Sequence, residues 1–312
     1  MHSDYASINE SKANFDEIYV QDDPRSYFSV LGSLDYMIPD VAEPIVRQIL
    51  AAFIGRHRRR PVVLDVGCSY GINAAVHRFP VSFSALCGRY ARHEMMAVSS
   101  DRLVDFDRSF YAGWPDIGLA RFVGLDSAEP AIRYATQVGL HDAGIAADLE
   151  KDPLSEKDAA VARRANVILS TGAVGYVSER TYRKLLDAMD SPPWIVSFVL
   201  RMFPFDEFAA MFEEYGLVTE QLLSATFSQR RFRDASECRR SLNVLAERGV
   251  DTTGLESEGL FQADLYVSRP KEDVRVARLA DIVTITSGRN RVNGPRYVPI
   301  ETDGGTQIAL EP

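Results

Sequence analysis

Three aspartates, Asp65, Asp126 and Asp148, each close a short apolar run, and the first leads into a turn with two glycines, Gly67-Cys68-Ser69-Tyr70-Gly71. Carboxylates at the ends of successive buried strands can accept hydrogen bonds from the hydroxyls and amines of a ligand. A glycine turn lets a ligand approach the backbone. The helix that follows offers free N–H groups and the positive end of its dipole. Among groups that could move a proton, His93 and Tyr176 are the candidates for catalysis, with His77 and His141 ranked below them. Tyr176, Arg201 and Phe203 follow the fourth and fifth apolar runs and are candidate walls of an acceptor pocket.

Three ligand types could use such a turn. A triphosphate calls for GxxxxGK[ST], and no lysine follows Gly71, so that reading fails. A dinucleotide calls for GxGxxG and an acid about 20 residues on; Ser69 takes the middle place and the second strand comes much later. A sulfonium cofactor calls for a carboxylate near its amino acid moiety and another on its ribose, and Asp65 and Asp126 are spaced for this. Each acid also has an ordinary structural role open to it: Asp65 and Asp126 as turn or helix caps, Asp148 as a loop carboxylate.

From Val63 to Gly71 the chain resembles the first motif of the class I S-adenosylmethionine (SAM)-dependent methyltransferases, V-L-D-x-G-x-G-x-G, departing from it at Ser69. Phe122-Val123-Gly124-Leu125-Asp126 is similar to the second motif, whose acid binds the ribose hydroxyls, and Ala146-Ala147-Asp148-Leu149 to the segment approaching the adenine amine. Asn166 to Gly172 looks like the fourth strand, which ends beside the methyl group. The resemblance covers roughly residues 60–200, more weakly to about 270. It implies SAM as cofactor, held by Asp65, Gly67, Ser69, Gly71, Asp126, Ser127, Asp148, Leu149 and Ser170. The [DN]-P-P-[YF] signature is absent from the fourth strand end, as is the acidic spacing of the magnesium-dependent catechol enzymes, so no metal is expected.

These residues need a frame. Val62–Val66, 121–126, 144–148, 166–170 and 194–199 read as buried strands, and 130–138, 178–189 and 205–215 between them as helices. Such alternation predicts a Rossmann-like, seven-stranded, doubly wound α/β sheet, with a final antiparallel pair drawn from 222–232 and 260–268 around a helix at 235–248. Before it, residues 26–36 and 41–53 read as helices, with Pro39 breaking the chain and Asp40 capping the second. The spacing thus predicts an N-terminal helical lid segment (1–60), a methyltransferase domain (61–270) and a C-terminal extension (271–312). Over 50 residues separate the first two strands, and 86–96 and 99–111 read as helices of an insertion at about 80–118, either a cover for a site or an added packing layer.

The composition narrows the partners. With 44 Asp and Glu against 35 Lys and Arg the net charge is -9, which disfavours nucleic acid as a partner. The basic run Arg56-His57-Arg58-Arg59-Arg60 reads as a solvated helix end, or less favourably as a docking patch for a carrier protein. No apolar run reaches the roughly 20 residues of a membrane helix. Three separated cysteines fit free thiols and a cytoplasmic location. The leading expectation is O- or N-methylation of a small molecule, in a biosynthetic setting. A non-catalytic SAM-fold scaffold or regulator and an NAD-linked oxidoreductase are the alternatives.

Overall fold

A computed structural model describes residues 5–285, 297–302 and 305–310 of the 312-residue chain. Four helices come first: α1 (Tyr5–Glu10), α2 (Asp16–Tyr19), α3 (Arg25–Gly32) and α4 (Ile38–His57). Strand β1 (Val62–Val66) and helix α5 (Ile72–Arg78) lead to the insertion, α6 (Phe83–Tyr90), α7 (His93–Ala97) and α8 (Ser100–Ala112). The alternation resumes with β2 (Arg121–Asp126), α9 (Glu129–Gln137), β3 (Ala143–Ala146), α10 (Glu156–Ala162), β4 (Val167–Thr171), α11 (Glu179–Ala188), β5 (Trp194–Leu200) and α12 (Asp206–Glu214). Then follow β6 (Leu217–Gln221), β7 (Phe227–Arg231), α13 (Ala235–Glu247), β8 (Leu260–Pro270), α14 (Lys271–Val276), α15 (Leu279–Ile282) and a separate hairpin, β9 (Tyr297–Thr302) and β10 (Gly305–Leu310).

The main sheet runs β3-β2-β1-β4-β5-β8-β6, with β7 pairing β8 off this path. Strands β1 to β5 are parallel, while β8 lies antiparallel to both β5 and β6. The expected seven-strand doubly wound sheet is therefore present, with an eighth short strand. Its central members are apolar on both faces, as helices on each side require: all seven residues of β5 are buried. One core, containing Val63, Phe122, Val167 and Val196, packs under α3 and α4; the other, containing Leu64, Val123, Ile168 and Ile195, packs under α11 and α12. The direction changes between β1 and β4, where the chain order reverses, and this is where such sheets open a crevice at the carboxyl ends of their strands.

Four expectations need correction. Pro39 does not break the N-terminal helices; it sits in the first turn of α4, where its missing N–H has no intrahelical partner to lose. Asp40 does not cap α4, because its carboxylate accepts the Phe83 N–H at 3.0 and 3.1 Å and ties α4 to the insertion. Of the stretch 222–232 only Phe227–Arg231 (β7) is strand, pairing antiparallel with β8 as expected; β6 before it, alternating and half-exposed, carried little signal. The insertion breaks between α6 and α7 rather than running through 86–96. Of the expected extension, residues 286–296, 303–304 and 311–312 lie outside the described residues. The basic run is a helix end, with Arg58 in a left-handed conformation (φ 54°) closing α4 while Arg56 and His57 meet Asp273 at 2.6 and 3.2 Å.

Candidate functional site

The glycine turn is the local event from which the site grows. β1 ends at Val66, and Gly67 has φ +70°, with its α-carbon so close to the next layer that a Cβ there would stand 2.6 Å from Ala173 Cβ. Only glycine fits that place. Ser69, which stands where the family motif has its middle glycine, also takes a left-handed conformation (φ 49°). For a non-glycine residue this costs roughly 1–2 kcal/mol. An opposing term is visible: the Ser69 N–H donates to Asp126 Oδ2 at 2.8 Å, locking the turn to the end of β2.

Beyond the turn lies a cavity of about 400 Å³, opening at the carboxyl ends of β1, β2 and β4 and roofed by the N-terminal segment. Its volume falls within the range of small-molecule and cofactor sites. Gly67, Ser69, Asp126, Ser127, Asp148 and Leu149 all line it. Burial pushes the Asp126 carboxyl above the usual range, against the pull of nearby backbone N–H groups. Asp126 Oδ1 accepts the Ala128 N–H at 2.9 Å, so each of its oxygens holds one backbone donor. A carboxylate has about four lone-pair sites, which leaves about two for a ligand. Asp148 sits at the rim, where the Lys151 ammonium at 2.8 Å holds its carboxyl below the usual range. Glu150, also a lining residue, is committed internally to Ser178 and Thr181.

Asp65 is placed differently from the expectation of direct contact with a ligand. It is fully buried and absent from the cavity lining; Asn73 stands at the cavity in its stead. The Asn73 Nδ2 donates to Asp65 Oδ1 and to Thr171 Oγ1, each at 2.9 Å, joining the ends of β1 and β4. Asp65 Oδ2 has no hydrogen-bond partner among the described residues. Burial first, and then the nearby Asp126, push the Asp65 carboxyl up to about 7, against the Asn73 hydrogen bond. Any influence of Asp65 on a ligand therefore passes through Asn73.

The roof is built from the N-terminal segment and β7. Asn9 Nδ2 donates to the Gly175 carbonyl, Tyr5 Oη donates to the Pro204 carbonyl at 3.0 Å, and Tyr70 Oη meets the carbonyls of Ile18 and Gln21 at 3.0 and 2.8 Å. Buried Arg230 and Glu237 pair at 2.7 and 3.0 Å, and Glu237 also accepts the Ala13 N–H at 2.6 Å. These contacts seat Lys12, Phe15, Tyr19, Tyr27 and Tyr36 on the cavity wall, with Gln229 and Arg230 beside them. Of the aromatic residues of this segment, Tyr19, Tyr27 and Tyr36 thus reach the cavity. Phe28 instead packs between Phe83 and Tyr90 in the core.

Several named residues stand elsewhere. His93 is exposed at the start of α7, and no residue of 80–118 lines the cavity, so the insertion is a packing layer and His93 cannot reach a ligand there. His77 is buried against Phe122, and His141 is buried outside the lining. Gly71 serves the close packing of α5 against Ala135 and Leu140. Ser170 is fully buried, and its neighbour Thr171 reaches the cavity because successive strand residues face opposite ways. Arg201 pairs with buried Glu256 at 2.8 Å, away from the lining. Phe203 is buried behind Lys12, while Tyr176 does line the cavity. Lys12, Asn73, Thr171, Gln229 and Arg230 were not singled out from the sequence. Only Thr171 carried a signal, at the end of the fourth strand.

Strand order, the antiparallel β8 and a cavity over the β1 turn make this a Rossmann-like fold, the topology that the resemblance to class I SAM-dependent methyltransferases implies. Among solved structures the chain is similar to the plantazolicin methyltransferase BpumL in complex with S-adenosylhomocysteine (SAH), at 12% identity over 86% of this chain and 98% of that one, TM-score 0.37. It is similar also to magnesium protoporphyrin IX methyltransferase from Synechocystis PCC 6803 with bound SAM, at 11% identity over 73% and 80%, TM-score 0.34. A TehB-like SAM-dependent methyltransferase from Corynebacterium glutamicum shares 16% identity over 72% and 89%, TM-score 0.33. No protein-family model and no curated protein matches the chain. Identities this low leave the chemistry to be argued from the cavity itself.

Proposed function

We propose that this protein is a SAM-dependent methyltransferase acting on a small-molecule acceptor, by O- or N-methylation. The observation that carries the reading is Asp126, a cavity-facing carboxylate whose two oxygens each keep a free acceptor site beside the backbone of the glycine turn. That arrangement suits a ribose diol. Ser127, Asp148 and Leu149 would flank the adenine, and the Gly67–Ser69 turn with Asn73 would hold the amino acid end. Bound there, SAM supplies a methyl group on a sulfonium, open to direct displacement by a nucleophile. The chain's own contribution is alignment and exclusion of water: Thr171 and Gly172 form the floor, and the aromatic roof closes the cavity over the acceptor. Among the described residues no histidine lines the cavity, so a general base, where the acceptor needs one, comes from a carboxylate or a tyrosine of its wall.

Among the described residues no helix is long and apolar enough to cross a membrane. Titration calorimetry with SAM, SAH and NAD tests the cofactor assignment. Saturable binding of SAM and SAH with none of NAD is expected. Binding of NAD alone would replace this reading with the oxidoreductase one. Transfer of labelled methyl from SAM into a small-molecule fraction separates the enzyme from a non-catalytic scaffold.

A further inference from the structure

The wall of the cavity holds a cation with no hydrogen-bonded partner among the described residues. Lys12 lies just after α1 with 7% of its surface exposed, and it lines the cavity. Its ammonium makes no hydrogen bond or ion pair among the described residues. It rests instead over the rings of Tyr176, at 4.3 Å, and Phe203, at 4.8 Å. The neighbouring cation is already satisfied: Arg230 holds Glu237 with two nitrogens and also the Arg231 carbonyl. Glu237 is in turn saturated by Arg230 and by the N–H groups of Ala13 and Arg233. A buried ammonium facing only π faces is costly to keep charged, and a ligand anion would relieve that cost.

We propose that Lys12 anchors a carboxylate carried by the acceptor, on a flat apolar body that lies against the aromatic roof. This rests on the methyltransferase reading above. The walls beside Lys12, namely Phe15, Tyr19, Tyr36 and Tyr176, suit such a body, and the Gln229 amide faces the same space as a second donor. Burial and the Arg230 charge hold the Lys12 ammonium down to about 7, with Glu237 opposing them; Asp16 and the tyrosines 19, 36 and 176 are the other titratable groups on that wall. Lys12 is thus partly deprotonated at neutral pH before the ligand arrives. An arriving carboxylate favours the ammonium, so binding above pH 7 takes up a proton.

The test uses the full chain saturated with SAH and three probes, benzoate, 4-hydroxybenzoate and phenylacetate, each against its primary amide. Calorimetry is run at pH 8 in two buffers of different ionisation enthalpy. At least one acid should bind tenfold or more tighter than its amide, with proton uptake. Lys12→Met should abolish both the preference and the uptake, and Lys12→Arg should restore part of the preference. SAH affinity should be unchanged in Lys12→Met, which also reports that the variant is folded. Acid and amide binding within threefold of each other, no binding of any acid, or a preference surviving in Lys12→Met would overturn the proposal. If SAH itself fails to bind while an acid still binds through Lys12, the methyltransferase reading falls and the anchor stands.

Discussion

Replacing Asp126 by asparagine removes one charge and converts one acceptor oxygen into a donor, with almost no change of shape. In the native protein Ser69 and Ala128 each donate an N–H to this carboxylate, at 2.8 and 2.9 Å. The new NH₂ group must take the place of the oxygen that holds either Ser69 or Ala128, together with that oxygen's ligand site, so a donor meets a donor in both orientations. If the turn keeps its oxygen, the ribose loses a charge-assisted acceptor, a loss of about 1.5–3 kcal/mol. Asp126→Asn should therefore weaken SAH binding roughly 10- to 150-fold. If the NH₂ group faces Ser69 instead, the left-handed turn loosens and affinity falls again, now with a lower melting temperature. Titration calorimetry with SAH, alongside thermal unfolding of the free protein, resolves the two cases. A dissociation constant within twofold of wild type, in a variant with a native melting curve, would refute the ribose assignment.

Other consequences follow from the same geometry. Asp65 is buried with its folded pKa raised to about 7, above the unfolded value near 3.9, so the folded state binds the extra proton and stability falls as pH rises from about 4 through 7. Asp65→Asn, which can still accept from Asn73, should therefore raise the melting temperature at pH 8 and change it little at pH 4; an equal gain at both would contradict the titration. Asp107 is fully buried and takes hydrogen bonds from Arg89, Tyr90 and Tyr134 at 2.7–2.9 Å, so Asp107→Ala should cost about 1–3 kcal/mol in denaturant unfolding by leaving half-buried Arg89 and two buried tyrosine hydroxyls without their acceptor. A loss below 1 kcal/mol would show that the network carries little. His93→Ala should leave SAH affinity and methyl transfer unchanged, and a tenfold loss of turnover would return that residue to the site.

Local sequence determined a good deal. β1 and β2 have the boundaries expected of them, because a buried parallel strand is apolar on both faces and stands out from its amphipathic helices. Asp126 and Asp148 were legible as cavity residues for a related reason: the ends of successive parallel strands meet on one edge whatever the loops do. Tertiary structure decided the rest. Ser170 and Thr171 are adjacent and equally polar, and only the facing of β4 puts the second in the cavity. Asp65 matches its motif, yet its place beneath Asn73 depends on how α5 leaves the turn. Lys12 sits in a polar stretch with no periodicity, and it becomes a buried cation only because Glu237, 225 positions on, captures the Ala13 N–H and holds the segment over the sheet. Such a contact is set by packing between distant elements, and no pattern of neighbouring residues encodes it.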